Sequence, residues 1–348
     1  MALLIEVQRR FTQGLGRLSP GALRALAGEP WRSPEGFELD PQMQVILRMS
    51  NRMGHSDWSR MGLGKARHVL EKTAGILQAR PEGAVNVHDE VLRLPGRTIR
   101  ARVYRDASAT GTLPVIVFYH GGGFVLGSLV SHDGECRALA LRTGAMVVAV
   151  DYRLAPEHPF PAAIDDAVAA YLWVAERAES LGGDARRMAV MGDSAGGNLA
   201  AVAACDLRGR PESPVFQVLV YPATDFTRSM PSHEHFKERY FLTRKSIDWF
   251  LGSYMPPGVD LRHPRASPLY TESLAGLPPA FVLTAGFDPL RDEGRAYAEA
   301  MQVAGVTTQY RCYEGLVHGF FSMSDGIGAA RVAFDDIVDA LRAGLGTG

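Results

Sequence analysis

The spacing of apolar positions changes near residue 85, which divides the chain into a helical part and a part rich in strands. Before this point apolar residues recur every three or four positions, the spacing of one helix face. This spacing predicts helices over 3–18, 40–53 and 63–79, with prolines 20, 30 and 34 as breaks after the first. The face of the first helix would contain Leu4, Val7, Phe11, Leu15 and Leu18. With arginines 9, 10 and 17 on its other faces a membrane-surface helix is the alternative, but a helix that packs on its own protein is favoured.

Beyond residue 85 the pattern is that of a β-sheet with intervening helices. Residues 91–94 and 99–104 alternate around a Pro-Gly pair, which predicts an antiparallel hairpin. Short apolar runs with little alternation follow, and such runs suit parallel strands covered on both faces. They are 115–119, 146–150, 188–191, 218–221, 281–284 and 308–313, with helices predicted at 162–178, 197–207 and 329–345. This order predicts a doubly wound, mostly parallel α/β sheet.

The connection between the strands 218–221 and 281–284 is longer than a crossover requires. It is also rich in aromatic residues, namely Phe226, Phe236, Tyr240, Phe241, Trp249, Phe250 and Tyr254. Helices inserted after the carboxyl end of a strand lie above the sheet edge at which ligands bind. We therefore expect three parts: an N-terminal helical cap segment (1–85), a sheet domain (86–222 and 257–348) and a cap insertion (223–256).

Composition and charge narrow the class of protein. The chain has 348 residues, of which 46% are hydrophobic and 22% charged, so it is neither disordered nor fibrous. Its 37 basic and 38 acidic side chains create no overall field for nucleic acid, which favours a small-molecule ligand. The three scattered cysteines, Cys136, Cys205 and Cys312, suggest buried thiols in a reducing compartment. No apolar run is long enough to cross a bilayer, and we expect a cytoplasmic protein without stable membrane insertion.

The sequence Gly-Asp-Ser-Ala-Gly at 192–196 lies between a predicted strand and a predicted helix. Flanking glycines allow a sharp turn at this junction that exposes the hydroxyl of Ser194 above the sheet edge. This pattern alone also occurs by chance in many chains. It makes Ser194 a candidate nucleophile that needs support from other motifs.

A serine nucleophile requires a base to take its proton and a partner to orient that base. Among the ten histidines, His318 is favoured because it lies in a glycine-bracketed loop after the predicted strand 308–313. A loop at that end of a strand would bring the imidazole to the same sheet edge as Ser194. The alternative is an ordinary surface or core histidine.

Three carboxylates could orient the base. Asp288 follows the strand 281–284 after three residues and so emerges at the reactive edge. Asp292 falls in the helix after Pro289, where it would interact with the helix dipole, and Asp193 points elsewhere. Asp288 is therefore favoured.

The sequence His-Gly-Gly-Gly-Phe at 120–124 ends another predicted strand. Consecutive glycines let backbone N–H groups approach an oxyanion, and a second donor would be the N–H of Ala195 at the start of a helix. A flexible loop or a phosphate cradle is the alternative, but the spacing of phosphate-binding motifs is missing.

Five motifs together resemble the hormone-sensitive-lipase group of α/β-hydrolases. They are HGGGF at 120–124, DYRLAPEH at 151–158, GDSAGG at 192–197, DPLRDEG at 288–294 and HGF at 318–320. The resemblance covers about residues 90–345 and implies an α/β-hydrolase fold with a helical cap. The order Ser194, Asp288, His318 also matches that family.

This resemblance implies a role for each matching residue. Ser194 would be the nucleophile, His318 the base and Asp288 its orienting partner. The oxyanion donors would be Gly122, Gly123 and Ala195. Arg153 and Glu157 would brace the oxyanion loop.

We expect a carboxylesterase that hydrolyses short- to medium-chain esters through an acyl-serine, with a small-molecule ester as substrate and no metal or organic cofactor. The expected substrate pocket contains Phe124, Phe241, Trp249 and Val317. An amidase or formamidase, a non-catalytic receptor and a scaffold protein are the alternatives. The edge strand 308–313 and the last helix could support a homodimer.

Overall fold

A computed structural model describes residues 2–53, 58–74, 76 and 78–347. Its centre is an eight-stranded sheet with the order β1-β2-β4-β3-β5-β6-β7-β8. The strands are β1 (Val85–Leu94), β2 (Arg97–Asp106), β3 (Leu113–Tyr119), β4 (Met146–Asp151), β5 (Gly183–Asp193), β6 (Phe216–Val220), β7 (Ala280–Phe287) and β8 (Thr308–Val317). β1 and β2 form the predicted antiparallel hairpin, β2 pairs antiparallel with β4, and all later pairs are parallel. The predicted sheet is confirmed.

The helices of the sheet domain cover both faces of the sheet. They are α5 (Asp133–Thr143), α6 (Ala162–Leu181), α7 (Ala195–Leu207), α10 (Arg291–Val303) and α11 (Gly328–Leu345). α6, α7 and α10 pack on one face and α5 and α11 on the other. Every residue of β3, β6 and β7 is buried, since apolar side chains that alternate between two covered faces never reach solvent.

The remaining helices belong to the N-terminal segment and the long connection. They are α1 (Ala2–Leu15), α2 (Pro20–Ala27), α3 (Pro41–Met53), α4 (Leu63–Ala74), α8 (Ser232–His235) and α9 (Arg244–Tyr254). Pro20 does not only break the first helix, because it also begins α2. The hydroxyl of Ser19 accepts a hydrogen bond from Ala22 N, and a proline fits the first helical position because no partner is needed for its missing N–H.

The predicted apolar face of the first helix is only partly buried. Leu15 is buried, whereas Phe11 and Leu18 are exposed. The side chains of Leu4 and Val7 lie outside the described residues. None of the helices in the described ranges is both long and apolar enough to cross a membrane.

One boundary differs from the expectation and affects the site. β8 continues to Val317, so His318 follows the strand directly instead of lying within a loop. After α9 the chain returns to the sheet domain, where Ala266, Leu274 and Leu277 join the core beside α7. The cysteines are free thiols, but only Cys136 is fully buried, while Cys205 and Cys312 are half-buried.

Candidate active site

Ser194 occupies the turn between β5 and α7 with a backbone φ of 56° and ψ of −117°. Its N–H donates to Val220 O at 2.8 Å, which fixes this strained conformation. A Cβ on Gly196 would lie 1.9 Å from the Tyr119 carbonyl oxygen, so these two backbone segments approach too closely for any residue other than glycine. The glycine requirement of the motif is therefore steric.

His318 joins Ser194 to Asp288. Its Nε2 lies 2.9 Å from the Oγ of Ser194 and its Nδ1 lies 2.8 Å from Oδ2 of Asp288. β7 and β8 are parallel neighbours whose last residues, Phe287 and Val317, pair in register, so Asp288 and His318 emerge at the same level. A proton on Nδ1 that is donated to Asp288 leaves the Nε2 lone pair available to the serine hydroxyl.

Asp288 is fully buried and its second oxygen accepts a hydrogen bond from Leu290 N at 2.8 Å. The two other candidate carboxylates are engaged elsewhere. Asp292 accepts from Ser232 N and pairs with Arg291, and Asp193 lies beneath the glycine-rich loop. The structure thus brings Asp288 to His318.

The glycine-rich loop after β3 presents backbone N–H groups beside Ser194. Gly122 and Gly123 have positive φ values of 120° and 62°, and Gly122 O accepts from both Val125 N and Leu126 N. Within the described ranges no protein acceptor takes the N–H of Gly122, Gly123 or Ala195. All three residues line the same cavity as Ser194, so these donors are available to a bound group.

Asp193 supports this loop from beneath. Its Oδ1 accepts from Gly121 N at 2.8 Å and lies 3.3 Å from Nε2 of His132. Burial raises the pKa of Asp193, but the charge of His132 outweighs it and holds the pKa below its usual range. For His132, burial lowers the pKa, but the negative charge of Asp193 and the hydrogen bond to it raise the pKa by more. The pKa of His132 therefore lies above its usual value. The two form a buried ion pair that no spacing in the sequence indicates.

His120, the first residue of the loop, is held as a neutral ring. Its ring stacks on Tyr152 at 4.3 Å between centroids, and the Tyr152 hydroxyl donates to His120 O at 2.7 Å. Burial, together with the charge of His132, lowers the pKa of His120 to about 4. His120 therefore packs within the support of the loop and does not contact Ser194.

The segment 151–158 braces the loop through α4. The guanidinium of Arg67 donates to Val125 O at 2.9 Å and forms two hydrogen bonds with Glu157. Arg153 pairs with Asp166 instead. The bracing role expected of Glu157 thus depends on Arg67, a residue without a motif of its own.

A cavity of about 750 Å³ lies above Ser194 and His318. Its roof comes from the N-terminal helices and from α9 and the chain before it, including Ile46, Met49, Leu70, Phe241, Leu242 and Phe250. Among the described residues, no group of three or more His, Cys, Asp or Glu side chains could hold a metal ion. The cavity is largely apolar, and its polar lining includes Thr12, Ser50 and Thr73 on the N-terminal helices as well as the residues at its floor.

Two of the four expected pocket residues, Phe124 and Phe241, line this cavity. Trp249 and Val317 are not among the residues that line it. α9 turns by about 100° per residue, so Phe250 faces the cavity and the half-buried Trp249 packs against the core. Val317 is fully buried in the sheet core at the end of β8.

A mostly parallel sheet that brings a serine, a histidine and an aspartate into contact beyond its strand ends defines an α/β hydrolase. The family model described as alpha/beta hydrolase fold matches residues 116–322. The chain belongs to this family.

Relatives of known name extend over most of the chain. It is 42% identical over 325 residues to the carboxylic ester hydrolase LipN of Mycobacterium tuberculosis, covering 89% of this chain and 84% of the relative. It is 46% identical to the carboxylesterase NlhH of the same species, covering 88% and 97%. A solved ester-hydrolase from the Lake Arreo metagenome, in complex with a bipyridine phosphonate derivative, has a TM-score of 0.84 at 43% identity, covering 88% and 99%.

Proposed function

We propose that the protein is a carboxylesterase in which Ser194, His318 and Asp288 form a catalytic triad. The observation that carries this proposal is the continuous contact from the Ser194 hydroxyl through the imidazole to a buried carboxylate. The named relatives, which are carboxylic ester hydrolases, support the same reaction class.

In the first half of the reaction the Ser194 Oγ attacks the ester carbonyl carbon while His318 Nε2 takes the hydroxyl proton. The negative oxygen of the tetrahedral intermediate would accept from the N–H groups of Gly122, Gly123 and Ala195. As the intermediate collapses, the alcohol leaves with the proton from Nε2 and an acyl-serine remains. Water then repeats these steps on the acyl-serine and releases the carboxylic acid.

The substrate class follows from the roof of the cavity. Its apolar walls and its volume of about 750 Å³ suit an ester with a short- to medium-length acyl chain. We further infer a reducing compartment such as the cytoplasm, supported by three free cysteines. The division at 85, 222 and 256, a homodimer through the edge strand β8, and catalysis without a cofactor stay predictions.

The test measures hydrolysis of nitrophenyl esters of increasing acyl length by the protein and by Ser194→Ala. We expect the variant to lose turnover by about a million-fold and to resist modification by an organophosphate, which should label the unsubstituted protein once. Ester hydrolysis by Ser194→Ala at an undiminished rate would exclude the assignment. Matched amide substrates distinguish an amidase, which would cleave them at least as fast as the esters.

A further inference from the structure

Large apolar side chains other than valine are exposed at only one part of the described chain. They are Phe11, Leu18, Leu26 and Met49, each 40–51% exposed, and all lie on or between α1, α2 and α3. Phe11 and Met49 also line the cavity that contains Ser194. Since both residues are exposed and line the cavity, they form part of its rim.

The same three helices carry a strong excess of positive charge. Residues 2–27 and 41–53 contain six arginines, of which the buried Arg9 pairs with Asp325, and one acidic residue, Glu6, although the whole chain has a net charge of −1. Arg48 and Arg52 are exposed on α3 on either side of Met49 in the sequence. Arg48 donates to the carbonyl oxygen of Ala27, and neither arginine has a carboxylate partner among the described residues. The rim therefore combines apolar side chains with arginines.

Apolar side chains and arginines on one surface indicate which class of partner could bind there. A second copy of the chain in a symmetric dimer would place the same arginines against each other, and this repulsion disfavours self-association here. An anionic lipid surface satisfies both features, because arginines attract its headgroups and apolar side chains enter the interface. Its position at the rim would also let an ester pass from the lipid into the cavity.

We propose that the surface formed by Phe11, Met49, Arg48 and Arg52, the rim surface, docks peripherally on anionic lipid and admits lipid-dissolved esters to the cavity. The docking step concerns a surface separate from the triad. Only the delivery of esters rests on the proposed function. Binding can therefore be tested without catalysis.

The experiment is flotation of the full-length protein with vesicles of phosphatidylcholine alone and with vesicles containing about 30% phosphatidylglycerol. We expect binding to the anionic vesicles only, and weaker binding in high salt because the charges are screened. Arg52→Gln removes no hydrogen bond found among the described residues and should lower the partition coefficient about fivefold. Arg48→Gln/Arg52→Gln should lower it about thirtyfold.

The matched control is Arg93→Gln/Arg210→Gln, which makes the same charge change at exposed positions outside the N-terminal helices. The control should bind like the unsubstituted protein, and so should Ser194→Ala, whose binding separates docking from catalysis. Equal loss in the control, equal binding to neutral vesicles, or no binding to either kind would overturn the proposal. Binding to a soluble acidic protein with no vesicle binding would overturn it in favour of a protein partner.

Discussion

Gly123→Ala tests the oxyanion loop most directly. A Cβ on Gly123 would lie 2.3 Å from Cγ of Phe250, which is closer than two carbon atoms can approach without bonding. Gly123 also has a φ of 62°, a conformation that costs an alanine about 1 kcal/mol. Either the Phe250 ring or the loop must move, and the N–H of residue 123 moves with the loop.

The expected magnitude follows from the loss of one hydrogen bond to the oxyanion. Removing one such donor costs about 10²–10³ in kcat, or about 2.7–4 kcal/mol of transition-state stabilisation. The ground-state ester does not carry the full negative charge, so KM should change much less than kcat. Backbone strain should lower the melting temperature by only a few degrees.

Steady-state kinetics on a short nitrophenyl ester, with a melting curve for each variant, measures both effects. Gly252→Ala is the matched control, because Gly252 is an exposed residue of α9 with no atom within 4 Å of its Cβ position. This control should keep full activity. Gly123→Ala/Phe250→Ala should recover part of the lost kcat relative to Phe250→Ala, since the clash is then removed. A folded Gly123→Ala protein with kcat within threefold of the original would refute the reasoning that the loop moves and takes the N–H of residue 123 away from the oxyanion.

Two further predictions concern buried carboxyl groups. Asp288→Asn should lower kcat by about 10⁴ in the same assay because an amide no longer favours the tautomer with a free Nε2, and a loss below tenfold would contradict this. Burial raises the pKa of Glu135 to about 8, above its ordinary value of 4.5. The folded state therefore keeps a proton that the unfolded state loses, and the free energy of unfolding should fall by up to about 1.4 kcal/mol per pH unit between these values. His120, whose pKa is lowered in the folded state, makes the free energy of unfolding rise with pH, but only below its ordinary pKa of 6.5. The free energy of unfolding, measured with urea between pH 6.5 and 8, should fall less steeply with pH for Glu135→Gln than for the unsubstituted protein. Identical slopes for the two proteins would contradict the reasoning.

The sheet was predictable because its signals are local. Short apolar runs, the Pro-Gly turn of the hairpin and the glycines around Ser194 each specify backbone geometry within a few residues. α5 was missed for a related reason. Its buried residues include the charged Glu135 as well as Cys136 and Ala140, so apolar and polar residues do not separate into two faces that would give a helical period.

The support of the site was not predictable in the same way. His132 lies far from Asp193 in the sequence, and Arg67 lies 58 positions before Val125, whose carbonyl it holds. Their contacts arise only when α4 and the start of α5 pack against the oxyanion loop and its support. The choice between Trp249 and Phe250 as a cavity residue likewise depends on how α9 is rotated against the sheet domain.

Local sequence was enough to specify the strands, the sharp turn at Ser194 and the short set of residues able to act as nucleophile, base and oxyanion donor, because neighbouring residues limit backbone conformation. The packing of the whole chain was needed to pair Asp193 with His132 under the oxyanion loop, to bring Arg67 to Val125, and to select which apolar residues line the cavity. These outcomes depend on side-chain directions between distant segments, and those directions are set only when the sheet, its helices and the cap pack together.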